Sequence, residues 1–227
     1  MKNLILILVF LPFNLLAQHW YSMDINIDKG RQNDAVQLMD DYFSKYGTEG
    51  MQVYLFYNNI GNHKELSNHS IIWVGDLQTI SDGLGGKFNK GAETTLFWKR
   101  LWEMSEFVQD YTGMFAAQYG NVLDTTRKLQ FCWAVKANNR NQFIQAWSDF
   151  FEQNDPKNTT HILTKAILNR GFGGANLYGL AAASSYKEMI DAQELRYSTK
   201  SWDEFLEKNG GAEVLLHWSR DEVKSWQ

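Results

Sequence analysis

The sequence predicts an α+β protein made of two tandem βαββαβ units, and three observations lead to that reading. Its 227 residues, 44% hydrophobic and 21% charged, hold enough apolar mass for one large core or two small ones and exclude disorder. A helical pattern then occurs twice. Asn33, Val36, Gln37, Leu38, Met39, Asp41, Tyr42 and Phe43 match Asn141, Ile144, Gln145, Ala146, Trp147, Asp149, Phe150 and Phe151 at the single offset 108, with four of the eight pairs identical. The segments around each helix alternate with period two, in the same order in both halves.

In the first half, Tyr21, Met23, Ile25 and Ile27 alternate with polar residues and predict a strand with one face on a core. The helix follows, with Ala35, Leu38, Met39 and Tyr42 spaced as one buried stripe. Strands are expected over 51–57 and 70–75, joined by an Asn- and Gly-rich turn at 58–62. A second helical region, interrupted at Gly83-Leu84-Gly85-Gly86, takes Leu101, Met104 and Val108 as its stripe, and a strand around Phe115, Ala117 and Tyr119 ends the half. The second half repeats the order. A strand on Phe131, Trp133 and Val135 precedes a helix on Phe143, Ala146, Trp147 and Phe150, and strands are expected over 161–168 and 176–182. A helical region broken near Ser198-Thr199-Lys200 then restarts from a capping box at Ser201, before a last strand in which Val214, Leu216 and Trp218 alternate with Glu213, Leu215 and His217. The expected organisation is a leader over 1–17, a first repeat over 18–124 and a second over 125–227.

Met1-Lys2-Asn3 is a short basic start, Leu4 to Phe13 is nearly all apolar, and Ala17 is a small residue ahead of Gln18, the pattern of a cleaved signal peptide. The run includes Pro12 and Asn14 and ends at Leu16, short of the ~20 apolar residues that cross a bilayer. The expectation is a secreted or periplasmic protein without stable membrane insertion. Twenty-two basic against 26 acidic side chains give −4, which supplies no basic face for nucleic acid. The single cysteine, Cys132, cannot form an internal disulfide. The five histidines show no metal-ligand spacing, so no metal is expected. Around Gly86-Lys87, Ser81 and Phe88 stand where a phosphate-binding loop requires glycine and a hydroxyl residue. Gly171-Phe172-Gly173 joins two strands instead of opening a helix, so it is not a dinucleotide fingerprint. No cofactor is expected.

The order βαββαβ is the split βαβ, or ferredoxin-like, unit, whose antiparallel sheet carries both helices on one face and leaves the other bare. A bare apolar sheet requires a cover, and a second unit in the same chain supplies one. On this element order and duplication, the chain resembles the dimeric α+β barrel superfamily, with the two repeats packed sheet to sheet in place of two subunits. The resemblance implies a pseudo-dimeric barrel, monomeric or weakly self-associating. Its activities include haem-degrading and quinol-oxidising monooxygenases, cyclases, isomerases and haem-dependent dismutases. For the haem-degrading members it implies an Asn on the first strand, a Trp after it and a His on the second helix. Asn26 and Trp73 match the first two places, but no histidine lies between Ala92 and Asp110 or between Ser184 and Asn209.

Period-two alternation proposes the chamber directly. If Tyr21, Met23 and Ile25 face the helices, then Ser22, Asp24 and Asn26 face the space between the sheets, as do Cys132, Ala134 and Lys136 in the second half. The last strands add Gln118, Glu213 and His217, placing Asp24 near Gln118 and Cys132 near His217. This reading makes Asn26, Gln118, Cys132 and Trp73 candidate ligand-binding residues. It also offers His217 as a general base, its ordinary pKa of about 6.5 being near neutrality, assisted by Asp24 or Glu213. Three functions follow. One is a small-molecule-binding protein. The second is a cofactor-independent cyclase, isomerase or monooxygenase-like enzyme. The third is an interaction module using Trp98 and Trp102 on an outer helix, with Trp226 also free to cover a groove or partner.

Overall fold

Residues 18–60, 66–121, 124, 126–154, 158–168 and 171–227 are described by a computed structural model. The expected leader over 1–17 lies outside them. The chain folds in the order β1 (His19–Ile27), α1 (Gln32–Tyr46), β2 (Gln52–Ile60), β3 (His69–Gly75), α2 (Leu77–Leu84), α3 (Ala92–Trp102) and β4 (Ser105–Tyr119). The order is then repeated as β5 (Leu129–Ala137), α4 (Arg140–Gln153), β6 (Thr160–Leu168), β7 (Leu177–Ala183), α5 (Tyr186–Tyr197), α6 (Lys200–Lys208) and β8 (Ala212–Trp226). Each half is the expected βαββαβ unit, with its second helical region split in two.

The strands close into a single barrel in the order β1-β3-β2-β8-β5-β7-β6-β4. Within each repeat the first strand lies between the third and fourth, as a ferredoxin-like unit requires. The repeats join through two seams, β2 with β8 and β4 with β6, and all pairings are antiparallel. These seams exist because β4 and β8 are each 15 residues long. β4 pairs with β1 through Ser105 to Met114, then continues beside β6, with a register shift between Phe115 and Ala117. β8 likewise leaves β5 after Asp221 and runs along β2 to Trp226. The two bare sheet faces thus become the inside of one barrel with no free edge.

Gly113 lies at one seam. A side chain there would overlap the Lys165 carbonyl and lie 2.6 Å from Cζ2 of Trp20. Only glycine lets β4, β6 and that indole approach.

The helices cover the outside. In the first repeat Ala35 and Met39 of α1 and Phe97 and Leu101 of α3 pack on Ile25, Val53, Leu55 and Ile71. In the second, Phe143, Ala146, Phe150 and Phe151 of α4 and Phe205 of α6 pack on Val135, Leu163 and Leu177. Burying a side chain such as Met39 or Leu101 stabilises the fold by roughly 1.5–3 kcal/mol. Asp76, Asn139, Ser185 and Thr199 cap α2, α4, α5 and α6 by accepting from backbone N–H groups of the first turn.

Three expectations change. Thr199, not Ser201, caps α6, and Ser201 instead bonds Thr199 and Asn154. Val108 belongs to β4, because the helix ends at Trp102. Trp226 is buried against α1, its Nε1 donating to Asp40 at 2.7 Å, and covers no groove for a partner. No helix among the described residues is long and apolar enough to cross a membrane.

Candidate functional site

The barrel interior is packed at one end and open at the other. At the packed end a short turn, Phe172–Gly174, follows β6 and presses Phe172 against Tyr111 and Trp218, with ring centres 6.0 and 5.4 Å apart. Gly171 makes this possible: its φ is +64°, and a side chain would overlap the Tyr178 hydroxyl. At the other end, where β1, β2, β5 and β6 begin, a cavity of about 480 Å³ opens. Trp20, Tyr111, Tyr178 and Trp218 form its aromatic floor. Tyr111 and Tyr178 are stacked at 5.1 Å, with Trp20 edge-on to both. Gln18, Gln52, Lys128, Glu222 and Gln227 stand around the mouth.

The polar groups are few and fixed. Asp24 is almost wholly buried, and its carboxylate accepts from Ser70 at 2.8 Å and Gln109 at 3.0 Å. Burial raises its pKa, against the lowering effect of Ser70, Gln109, Arg220 and Tyr111. Tyr111 lines the cavity and interacts with Asp24, and burial followed by that nearby carboxylate holds its hydroxyl well above the ordinary range. Cys132 is also on the wall, and burial raises its thiol pKa. Arg220 is 7% exposed. Its Nε donates to Gln130 at 2.8 Å, and its guanidinium lies 4.2 Å from the centre of the Phe56 ring.

Alternation places Ser22, Asp24, Cys132 and Ala134 inward as expected, and Gln118 lines the cavity, but Lys136, expected inside, is exposed past a register shift in the β5–β8 pairing. Other expected residues lie elsewhere. Asp24 bonds Gln109 and not Gln118, because β1 lies beside the first part of β4. Asn26 is beyond the cavity, accepting from the Asn68 amide. Trp73 faces the helices of the first repeat. The largest correction concerns β8. Leu216 and Trp218 point into the barrel, so His217, paired with outward-facing Trp133, is exposed on the other face. Glu213 is exposed beyond a register shift, opposite Lys136. Neither residue joins Asp24, so the expected His217, Asp24 and Glu213 constellation does not form.

Sequence reasoning missed Arg220, Tyr111 and the two tryptophans on the floor. The reading of the last strand stopped at Trp218, although Arg220 two residues beyond it carries the same alternation inward.

A second, apolar groove of about 360 Å³ lies outside the barrel between the first repeat's sheet and helices. Trp73, Tyr42, Phe97 and Trp98 line it. Trp98 stacks on the half-exposed Trp102 at 5.5 Å, and Tyr21 at its edge donates to Asp110 at 3.0 Å.

Neither space has the donors for imidazole-ligated iron. No histidine lines the cavity or the groove. His161 is buried behind Phe151 with Nε2 bonded to Thr159 and Arg196, and His69 is buried beside Asn68. The haem chemistry implied by the superfamily resemblance does not fit these residues, and no step is assigned to it. Among the described residues no group of three or more His, Cys, Asp and Glu side chains converges as a metal site.

No protein-family model matches the sequence, and no curated protein matches it. Solved structures match the fold throughout. A putative monooxygenase from Lactobacillus acidophilus NCFM aligns over 93% of this chain and 96% of its own, with TM-score 0.59 and 9% identity. A putative monooxygenase from Fusobacterium nucleatum subsp. nucleatum aligns over 93% and 94%, with TM-score 0.59 and 12% identity. A mutant chlorite dismutase from Candidatus Nitrospira defluvii, in complex with cyanide, aligns over 92% and 91%, with TM-score 0.57 and 8% identity. At these identities the likeness is one of fold: the chain has the duplicated ferredoxin-like barrel of these proteins.

Proposed function

We propose that the chain is an exported protein that binds a flat small molecule inside its barrel. The observation that carries this reading is the cavity itself: about 480 Å³, open at one end, floored by aromatic rings and walled by a buried arginine. A volume of this size is within the range of small-molecule sites, and an apolar floor with a few fixed polar groups is their usual composition. Export rests on the basic start, apolar run and small residue at Ala17 in the first seventeen residues. A barrel without a free edge needs no second copy to complete it, which favours a monomeric pseudo-dimer.

A second reading, an enzyme of the cyclase, isomerase or cofactor-independent monooxygenase type, is favoured by one feature. Tyr111 both lines the cavity and interacts with the buried Asp24, so a proton on a bound ligand has a route to a carboxylate whose pKa is raised. Tyr111 and Asp24 replace His217 in that role. The putative monooxygenases sharing the fold are consistent with it.

Native mass spectrometry of the chain purified from its own host tests the binding reading. The expected result is a retained small molecule that is lost when Leu180→Trp fills the cavity. An empty wild-type protein, or an adduct unaffected by the substitution, contradicts it.

A further inference from the structure

The charge balance inside the cavity identifies the class of ligand. A buried guanidinium is stable only when its charge and N–H groups are matched, and removing one from water without a partner costs several kcal/mol. Arg220 is poorly matched. It is 93% buried by its 7% exposure, and no carboxylate among the described residues comes within ion-pair distance of it. One of its five N–H groups, on Nε, reaches Gln130, and Phe56 covers one face of the plane. Asp24, the nearby buried carboxylate, is occupied by neutral donors from Ser70 and Gln109. At the mouth Lys128 is offset by Glu222 at 3.6 Å and Arg127 by Asp124 at 3.1 Å.

The neighbouring floor adds no donor of its own. The indole Nε1 groups of Trp20 and Trp218, both on cavity-lining residues, are buried without a hydrogen-bond partner among the described residues. These two N–H groups are closed off from the cavity space, so Arg220 is the underpaired donor that a ligand on this wall can meet.

We propose that the ligand is an aromatic acid, its ring on the tyrosine and tryptophan floor and its carboxylate on Arg220. The inference rests on the binding reading above and adds the ligand's charge. A planar carboxylate matches the guanidinium fork, and its two oxygens meet N–H groups of Arg220 that Gln130 leaves unpaired.

Anthracene-2-carboxylate and its neutral isostere, anthracene-2-carboxamide, test this at pH 7.5, with energy transfer from tryptophan to the anthracene ring as the readout. The expected result is saturable transfer with the carboxylate bound about 30-fold more tightly to the wild-type protein. Arg220→Met should remove that preference and Arg220→Lys should keep part of it. Equal or tighter binding of the carboxamide, or a preference that survives Arg220→Met, overturns the acid assignment and leaves the cavity reading standing. Absence of saturable transfer from either probe overturns both. Should Arg220→Met fail to fold, the wild-type comparison of the two probes decides alone.

Discussion

The guanidinium of Arg220 lies 4.2 Å from the centre of the Phe56 ring, and the two residues belong to different repeats. Arg220 is on β8 and Phe56 on β2, across one of the seams that closes the barrel. The cation at the cavity wall is thus positioned by the same strand pairing that joins the halves. A double-mutant cycle with Phe56→Leu and Arg220→Met should give a coupling of about 1–2 kcal/mol in urea unfolding, and a value near zero would show that the contact is incidental.

Gly113 permits the other seam. Gly113→Ala drives a methyl into the Lys165 carbonyl and the Trp20 ring, with a cost on the order of 2–3 kcal/mol. Gly179→Ala, whose added carbon meets Trp133 and Trp147 at an ordinary 3.6 Å, should cost less than about 1 kcal/mol. Equal shifts in the unfolding midpoints of the two variants would contradict the account of the β4–β6 approach.

Asp24 should make stability fall with rising pH. Burial raises its folded pKa above the unfolded value of 3.8, so the protonated form is favoured in the folded state. Its favourable contribution is therefore complete below about 3.8 and is lost as pH rises through the folded pKa. The stability difference between wild type and Asp24→Asn should move against the wild type across that window. A difference that is constant with pH would show that Asp24 does not titrate differently on folding.

His161 and His69 act in the opposite direction. Burial, then Arg196 and Arg127, pushes His161 well below 6.5, and burial lowers His69 to about 4. Both contribute stability above the unfolded pKa of 6.5, and it is lost as pH falls toward the folded values. Each should add a slope of up to about 1.4 kcal/mol per pH unit. For His161 the structural cause is visible, since Nε2 accepts from Arg196, and protonation would end that bond and set two cations side by side. His161→Gln should flatten the loss between pH 6.5 and 5, as read by urea unfolding; an unchanged slope would sink the assignment.

Thr199→Ala should destabilise the protein by about 1 kcal/mol by exposing the Trp202 amide at the start of α6. Thr199→Ser, which keeps the hydroxyl, should cost clearly less. Identical midpoints for the two would show that the cap does not matter.

The duplication and the element order were legible because helix stripes and strand alternation survive in both halves at nearly constant offset. Ser22, Asp24, Cys132 and Ala134 on β1 and β5 were legible for the same reason, whereas Asn26 and Lys136, each past a register shift, were not. What failed was the last strand of each repeat. β4 begins three residues after α3, so Val108 continues a helical spacing that the backbone has already left. β8 carries apolar residues on neighbouring positions, Val214 to Leu216, around a register shift, and period two alone cannot fix its phase there. Inverting that phase put His217 inside and hid Arg220. The barrel itself was expected from the duplication, but the strand pairs that form its seams, β2 with β8 and β4 with β6, were not, because alternation does not mark which strand ends meet.

Two spaces compete for a ligand, the inside of the barrel and the groove under the first repeat's helices. The direct measurement is a crystal structure of the chain soaked with anthracene-2-carboxylate. The account predicts density inside the barrel, its rings against Trp20 and Trp218 and its carboxylate on Arg220. Density confined to the groove beside Trp73 and Trp98, with the barrel free of ligand, would contradict it.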